Sequence, residues 1–421
     1  MDIQELLLIQ REIVDVLENG IIPFWFDRAW DDQHGGFLTN FDSMGHGLGT
    51  PEKYLNTQFR MVWWFSMLSH TFPRHKEFGQ LAQAGVDWVI ENFWDEKYGG
   101  WFWKVHDDGS ELDDGKVVYG QAFAIYALAQ HALSSGNGKS LTFASTTFDL
   151  LQKYCADTRF GGYYENLERE WQISPGGIFA GDRKSLDTHM HLMEAFTTLF
   201  AASNAHVHRM KLHEVIDLIV MYMLDEDTGC GRNQFTLNFS PIPAIAIHRT
   251  WNAEREGDSP KTHLDTTSYG HNIELAWLIN RALDIGQIDP EPYRSTQLGL
   301  VEHTYAKGVD WDDGGIFRDG LADGEPVILE KEFWQHAESL VGFLDAYQTF
   351  QDEKYLLAFG NIWHFVKDNL INPTLGEFRT LLNHSGEVID ANLGNPWKVA
   401  YHTGRSMLEC RNRLQAILKN S

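Results

Sequence analysis

The chain has 421 residues and a 43% hydrophobic fraction, enough for one large repetitive domain or two or three ordinary ones. Its net charge of −25, with no basic stripe, argues against nucleic acid or an acidic membrane surface as partner. Three cysteines without metal spacing, a start (MDIQELLLIQREIVDVLENG) unlike a signal peptide, and no apolar run near the roughly 20 residues that span a bilayer point to a reduced cytoplasmic protein.

Along the chain one short motif recurs: an acidic or polar turn, a glycine, then a strand-like stretch. It reads DDQHGGFLTNF at Gly35, DEKYGGWFWKV at Gly99 and DTRFGGYYENL at Gly161. Weaker copies are DEDTGCGRNQF at Gly229, DWDDGGIFRDG at Gly314 and NPTLGEFRTLL at Gly376. Glycine in such a turn supplies positive φ, and the alternation after it reads as one arm of a hairpin.

Between the copies lie helical patterns such as QFRMVWWFSMLSHTF, YGQAFAIYALAQHAL and MHLMEAFTTLFAASN, apolar over a broad stripe with small residues interleaved. Each interval holds two helices of about a dozen residues plus loops. Six such intervals predict an all-α (α/α)₆ barrel, residues 1–421 as one domain, with the glycine hairpins gathered at one end. An open solenoid would need polar capping repeats, and the first and last units resemble the others. The interval from Gly229 to Gly314 is longer by about 20 residues, which predicts a lid-like insertion at 236–266, just before His271.

Five segments carry candidate chemistry. In NTQFRMVWWFS, Arg60 sits among apolar residues, where a guanidinium needs an anionic or oxygen-rich partner. In LDTHMHLMEAF, His189 and His191 are two apart on a helix and point to different sides, so one faces a cavity while the other packs or is solvated. In TTSYGHNIELAWLI, Thr267 or Ser268 is the N-cap, His271 lies in the first turn and Glu274 follows on the same face. The helix terminus favours neutral imidazole and Glu274 opposes it, so together they poise a base near neutrality. In EFWQHAESLVGF, Trp334 and Glu338 share a face that excludes His336. In NPWKVAYHTGRSMLEC, Trp397, His402 and Arg405 gather at a helix start and suit a hydroxylated ligand. Singly, each could be structural; together they offer polar groups to one barrel mouth. No metal box, phosphate loop or dinucleotide fingerprint competes, so neither metal nor cofactor is expected.

These segments, in this order, resemble the N-acylglucosamine 2-epimerase superfamily from about Phe24 to Arg413. SYGHNIE and PWKVAYHTGR look like the SYGHDIE and PWKCPYHNGR stretches of its cellobiose 2-epimerase branch. Gln58, Arg60, Trp63, Phe65 and Ser66 match its QxRxxWxFS pattern, and AFAIYAL at 122–128, with Tyr119 just before, also matches. The resemblance implies proton transfer at C2 of a free reducing sugar, a small-molecule substrate taken by a monomer or homodimer. It implies His271 and His402 as the two bases, Glu274 orienting His271, and His191 assisting ring opening or holding O1. It further implies Arg60 on the enediolate oxygens with Tyr119 nearby, Trp334 and Trp397 stacking on sugar, and Asp187, Glu338 and Arg405 among the substrate-binding groups. Three features depart: Asp187 stands where many relatives have Asn, His336 where Gln is common, and the insertion is longer.

Within the family an aldose–ketose isomerase is the alternative. From another class, an inverting glycoside hydrolase would need two carboxylates about 6.5–9.5 Å apart, with Glu274 and Glu338 as the pair. A non-catalytic binding role would leave His271 dispensable. An extra loop before His271 fills space where a second sugar would sit and favours mannose and glucose over cellobiose, whereas Trp397 could stack on that second sugar.

Overall fold

The computed structural model describes residues 1–225, 227–250, 266–322 and 324–420. Among the described residues, thirteen α-helices form two concentric layers. The inner ring consists of α3 (Leu55–Thr71), α5 (Val118–Ser135), α7 (Leu186–Ser203), α9 (Tyr269–Gly286), α11 (Phe333–Phe350) and α13 (Ala400–Asn420). Each packs on the next, and α13 returns to α3, closing the barrel. Outside them lie α4 (Lys76–Phe93), α6 (Gly138–Leu150), α8 (His206–Tyr222), α10 (Arg294–His303), α12 (Lys354–Phe365) and α1 (Ile3–Asp15), the last against α13. A wide π turn joins α1 to the short α2 (Ile22–Arg28). The sixth pair thus joins the two ends of the chain.

Burial explains the layering. In α3 every residue from Leu55 to Ser66 is buried, as in a helix enclosed on all sides. In α4 the buried set includes Phe78, Ala82, Val86, Val89 and Phe93, one stripe on an amphipathic helix. No helix of the described residues is long and apolar enough to cross a membrane.

Each outer helix, α1 by way of α2, leads into one of the six glycine turns, and the chain then enters an inner helix. The turns therefore gather at the N-terminal ends of the inner helices. The same parts recur. Asp31, Asp95, Asp157, Asp225, Asp310 and Asn372 each accept two backbone N–H groups of their own turn. Buried lysines two residues before an inner helix reach four of these carboxylates: Lys53 to Asp31 at 2.7 Å, Lys116 to Asp95 at 3.0 Å, Lys184 to Asp157 at 2.8 Å and Lys331 to Asp310 at 2.7 Å. Arg232 serves Asp225, and Lys398 turns to Glu377 at 3.1 Å.

The fourth residue of each of the first five inner helices then latches its turn. Gln58, Gln121 and Asn272 accept the N–H of Phe37, Trp101 and Gly231 through side-chain oxygens. His189 and His336 accept the N–H of Tyr163 and Ile316 through Nε2, at 3.0 and 3.1 Å. This close approach requires glycine: a Cβ on Gly162 or Gly315 would lie 2.7 or 2.6 Å from the imidazole, and both residues have positive φ. The insertion expected at 236–266 is described up to residue 250 and from 266; residues 251–265 lie outside the described residues.

Candidate active site

With the fourth residue committed to the turns, the second, third and sixth residues of the inner helices are left at the barrel mouth. Arg60, Tyr119, Asp187, His191, His271, Glu274, Trp334 and His402 come from these positions and line one cleft. Trp397 joins from the loop before α13, and Glu332 and Phe333 from the start of α11. Glu338 and Arg405, expected to bind substrate, do not line it. Both are buried beneath its floor.

Ser268 caps α9, accepting the His271 N–H at 3.3 Å, which fixes His271 in the first turn. Its Nε2 lies 3.6 Å from Asp187 Oδ1, and its ring meets Trp334 with centroids 4.7 Å apart. Burial depresses the imidazole, and the charge of Asp187 only partly opposes this, so His271 is neutral at pH 7. The expected pairing with Glu274 is corrected by the structure. Glu274 accepts from Arg405 Nη2 at 2.6 Å, and its other oxygen is buried without a partner among the described residues.

The carboxylate that holds a cleft histidine is instead Glu338, which accepts from His402 Nδ1 at 2.7 Å. That fixes the tautomer and leaves the lone pair on Nε2. Burial and the neighbouring charges of Arg60, Arg405 and His191 hold His402 well below the ordinary imidazole value. Trp334 also touches this ring, at 5.8 Å, so one indole lies against both imidazoles.

Arg405 explains why its own assignment and that of Glu338 change. Its guanidinium donates to Glu194, Glu274, Glu338 and the Tyr401 hydroxyl, tying three inner helices to α13. One cation among three buried carboxylates leaves surplus negative charge, and burial raises both Glu274 and Glu338. Atoms of Glu274, Glu338 and His402 lie within 4.8 Å of one another, a grouping that could take a cation, and Arg405 supplies positive charge there. Two carboxylates so close, sharing one guanidinium nitrogen, lack the separation of an inverting hydrolase.

His191 has the opposite character. Burial favours its neutral form, but Asp187 at 3.3 Å from Nε2 and Glu194 at 3.0 Å from Nδ1 outweigh it and push the imidazole up to about 9. It is an acid at pH 7. Arg60 donates to the Tyr119 hydroxyl at 2.7 Å and the Trp397 carbonyl at 3.2 Å, and its guanidinium lies over Phe123 and Tyr401. Among the described residues no carboxylate pairs with it and its Nε has no partner, so this cation can receive an anion. Trp397 lines the cleft and also packs on Tyr54 and Trp103.

Sequence reasoning missed Glu194, Tyr401, Glu332 and Phe333. Glu194 was within reach: it follows His191 by three residues on one helix face. His336, read as a departure bearing on substrate, is the latch of the fifth turn.

The family model for N-acylglucosamine 2-epimerase matches residues 35–406. A cellobiose 2-epimerase from Dictyoglomus turgidum is 28% identical over 424 residues, covering 97% of this chain and all of that one. The solved structure of cellobiose 2-epimerase from Spirochaeta thermophila superposes with a TM-score of 0.85 at 29% identity, covering 98% of each chain. A D-mannose isomerase from Marinomonas mediterranea is 24% identical, covering 91% of this chain and 92% of its own. The chain belongs to the N-acylglucosamine 2-epimerase family of carbohydrate epimerases and isomerases.

Proposed function

We propose that the protein inverts C2 of a free reducing aldose, interconverting D-mannose and D-glucose without metal or nucleotide. The observation that carries this reading is a pair of imidazoles, His271 and His402, both held neutral, both against Trp334, in a cleft that also presents the guanidinium of Arg60, with which no carboxylate of the described residues pairs. The sugar ring opens first, because only the C1 aldehyde makes the C2 proton acidic. One neutral imidazole removes that proton, and Arg60 and the Tyr119 hydroxyl stabilise the cis-enediolate. The second imidazole takes a proton from solvent, which the negative charge of the enediolate favours, and the first later gives the abstracted proton back to solvent. Rotation about C2–C3 presents the other face, and that imidazole returns a proton there.

The described part of the insertion supports a monosaccharide. Arg249 pairs with Asp113 at 2.7 Å, and Asp113 accepts the backbone N–H of Trp103, the residue packed on Trp397. The segment thus lies beside the aromatic group on which a second sugar would stack.

The test is NMR in deuterated water with mannose, glucose, cellobiose, mannobiose and N-acetylmannosamine side by side, with no metal or ATP added. Mannose and glucose are expected to interconvert with deuterium appearing at C2. Fructose as the main product, with the proton returned to C1, overturns the epimerase reading in favour of the isomerase. Faster turnover of cellobiose overturns the choice of substrate.

A further inference from the structure

We propose that Asp187 is the base of sugar ring opening, paired with His191 as the acid, and that the two reset one another across their own contact. The inference rests on the proposed reaction at a free reducing sugar. Opening a cyclic hemiacetal requires two proton movements: the O1 hydroxyl loses one, and the ring oxygen gains one. A site that supplies only an acid leaves the O1 proton without a destination.

The arrangement on α7 provides both. Asp187 and His191 are the second and sixth residues of the helix, one turn apart on the same face. The Asp187 side chain keeps 26% of its surface exposed, at the cleft, whereas His191 keeps 3%. His191 does not need Asp187 as its only counter-ion. Glu194 already holds its Nδ1 at 3.0 Å and is itself satisfied by Arg405 and Tyr401. A second carboxylate on the same imidazole is therefore surplus as a structural partner, and it is the one that faces the cleft. Its Oδ1 stands 3.3 Å from His191 Nε2 and 3.6 Å from His271 Nε2, between the acid and one base of the C2 step.

An Asp187 oxygen takes the proton from O1–H, and the electrons of that bond form the C1=O1 double bond. The C1–O5 bond breaks, and O5 takes the proton from His191 Nε2. The products are the open-chain aldehyde, a carboxylic acid at Asp187 and a neutral His191. The acid then returns its proton to Nε2 over the 3.3 Å contact, restoring the ion pair without solvent. Closure of the epimerised sugar runs the same sequence backward. Asparagine at this position holds O1 by a hydrogen bond but cannot carry the proton.

The experiment compares wild type with Asp187→Asn, which keeps size and a hydrogen-bonding group. The primary measurement is enzyme-catalysed exchange between the α and β anomers of D-mannose, followed by NMR saturation transfer. The second is deuterium entry at C2, measured on D-mannose and on D-glyceraldehyde, which forms no intramolecular sugar ring. Asp187→Asn is expected to lose at least tenfold in anomer exchange. Deuterium entry is expected to fall at least tenfold more on mannose than on glyceraldehyde. Unchanged anomer exchange overturns the proposal, and so does an equal loss on both sugars, which would place Asp187 at the C2 step beside His271. Wild-type enzyme that exchanges anomers but no C2 proton would overturn the proposed epimerisation and leave the ring-opening pair standing.

Discussion

His189 and His191 stand two residues apart on one helix, and they have become different reagents. His189, like His336 on α11, uses both ring nitrogens on backbone: Nδ1 donates to the carbonyl four residues earlier at 2.7 Å, and Nε2 accepts the N–H of a glycine turn. Burial pushes these imidazoles down to about 4 and about 3, so they are permanently neutral struts. His191, His271 and His402 face carboxylates, a tryptophan and open cleft. Helical position separates the two groups: the fourth residue of an inner helix meets a turn, and the third and sixth meet the cavity. Histidine content therefore says little about chemistry until the helix phase is known.

The largest effect that would sharpen this division comes from the cleft pair. His402→Asn or His271→Asn is expected to lower C2 proton exchange by about 10²–10⁴-fold, the usual contribution of a positioned acid or base. Each removes at most one side-chain hydrogen bond to protein, so melting temperature should hardly move. Calorimetry beside deuterium exchange checks this, and a variant that unfolds as it loses activity breaks the division between strut and reagent.

Arg405→Met comes next. It strands Glu194, Glu274 and Glu338, all buried, and is expected to cost about 3–5 kcal/mol in urea unfolding, as when one partner leaves a buried ion pair. Because the stranded groups are acids, the deficit should shrink as pH falls and they protonate. A deficit independent of pH would mean that Arg405 acts by packing alone.

The pH profile tests the cleft histidines against one another. His271 and His402 must be unprotonated to act as bases, and both are depressed, so the acid limb of kcat/KM should lie below the ordinary imidazole value of 6.5. His191 must be protonated, so the alkaline limb should fall near 9. The stability sign agrees: a group raised on folding contributes fully below 6.5 and loses its contribution as pH rises through about 9. An alkaline limb near 6.5 would remove His191 as the acid.

The hairpins and helices were legible because local rules write them: glycine where φ is positive, apolar residues at helical spacing, Ser268 as a cap. His271, His402 and Arg60 were legible because each stands in a distinctive short motif. Long-range competition was not. Glu274 shares a face with His271 and invites pairing, yet Arg405, 131 residues on, arrives across the barrel and takes the carboxylate. His402 gathers with Trp397 and Arg405 in its own segment, but the carboxylate that holds its Nδ1, Glu338, is 64 residues away. The sixth helix pair joins α1 to α13, a contact that no local window contains.

The smallest expected effect bears most directly on the struts. Gln58 and Gln121 do in two turns what His189 and His336 do in two others, accepting the turn N–H at 2.8 and 3.0 Å through Oε1. Replacing His336 by Gln should therefore keep the acceptor and shift stability by less than about 1 kcal/mol, whereas Ala leaves the Ile316 N–H buried and unpaired and should cost about 1–3 kcal/mol. Activity should stay within about twofold, since the ring never reaches the cleft. A histidine neutral in the fold at about 3 and protonated in the unfolded chain below 6.5 makes stability fall as pH drops through that window. His336→Gln should flatten that fall in acid denaturation. A variant that instead loses turnover while folding normally would place His336 among the reagents, and helix phase would cease to separate the two groups.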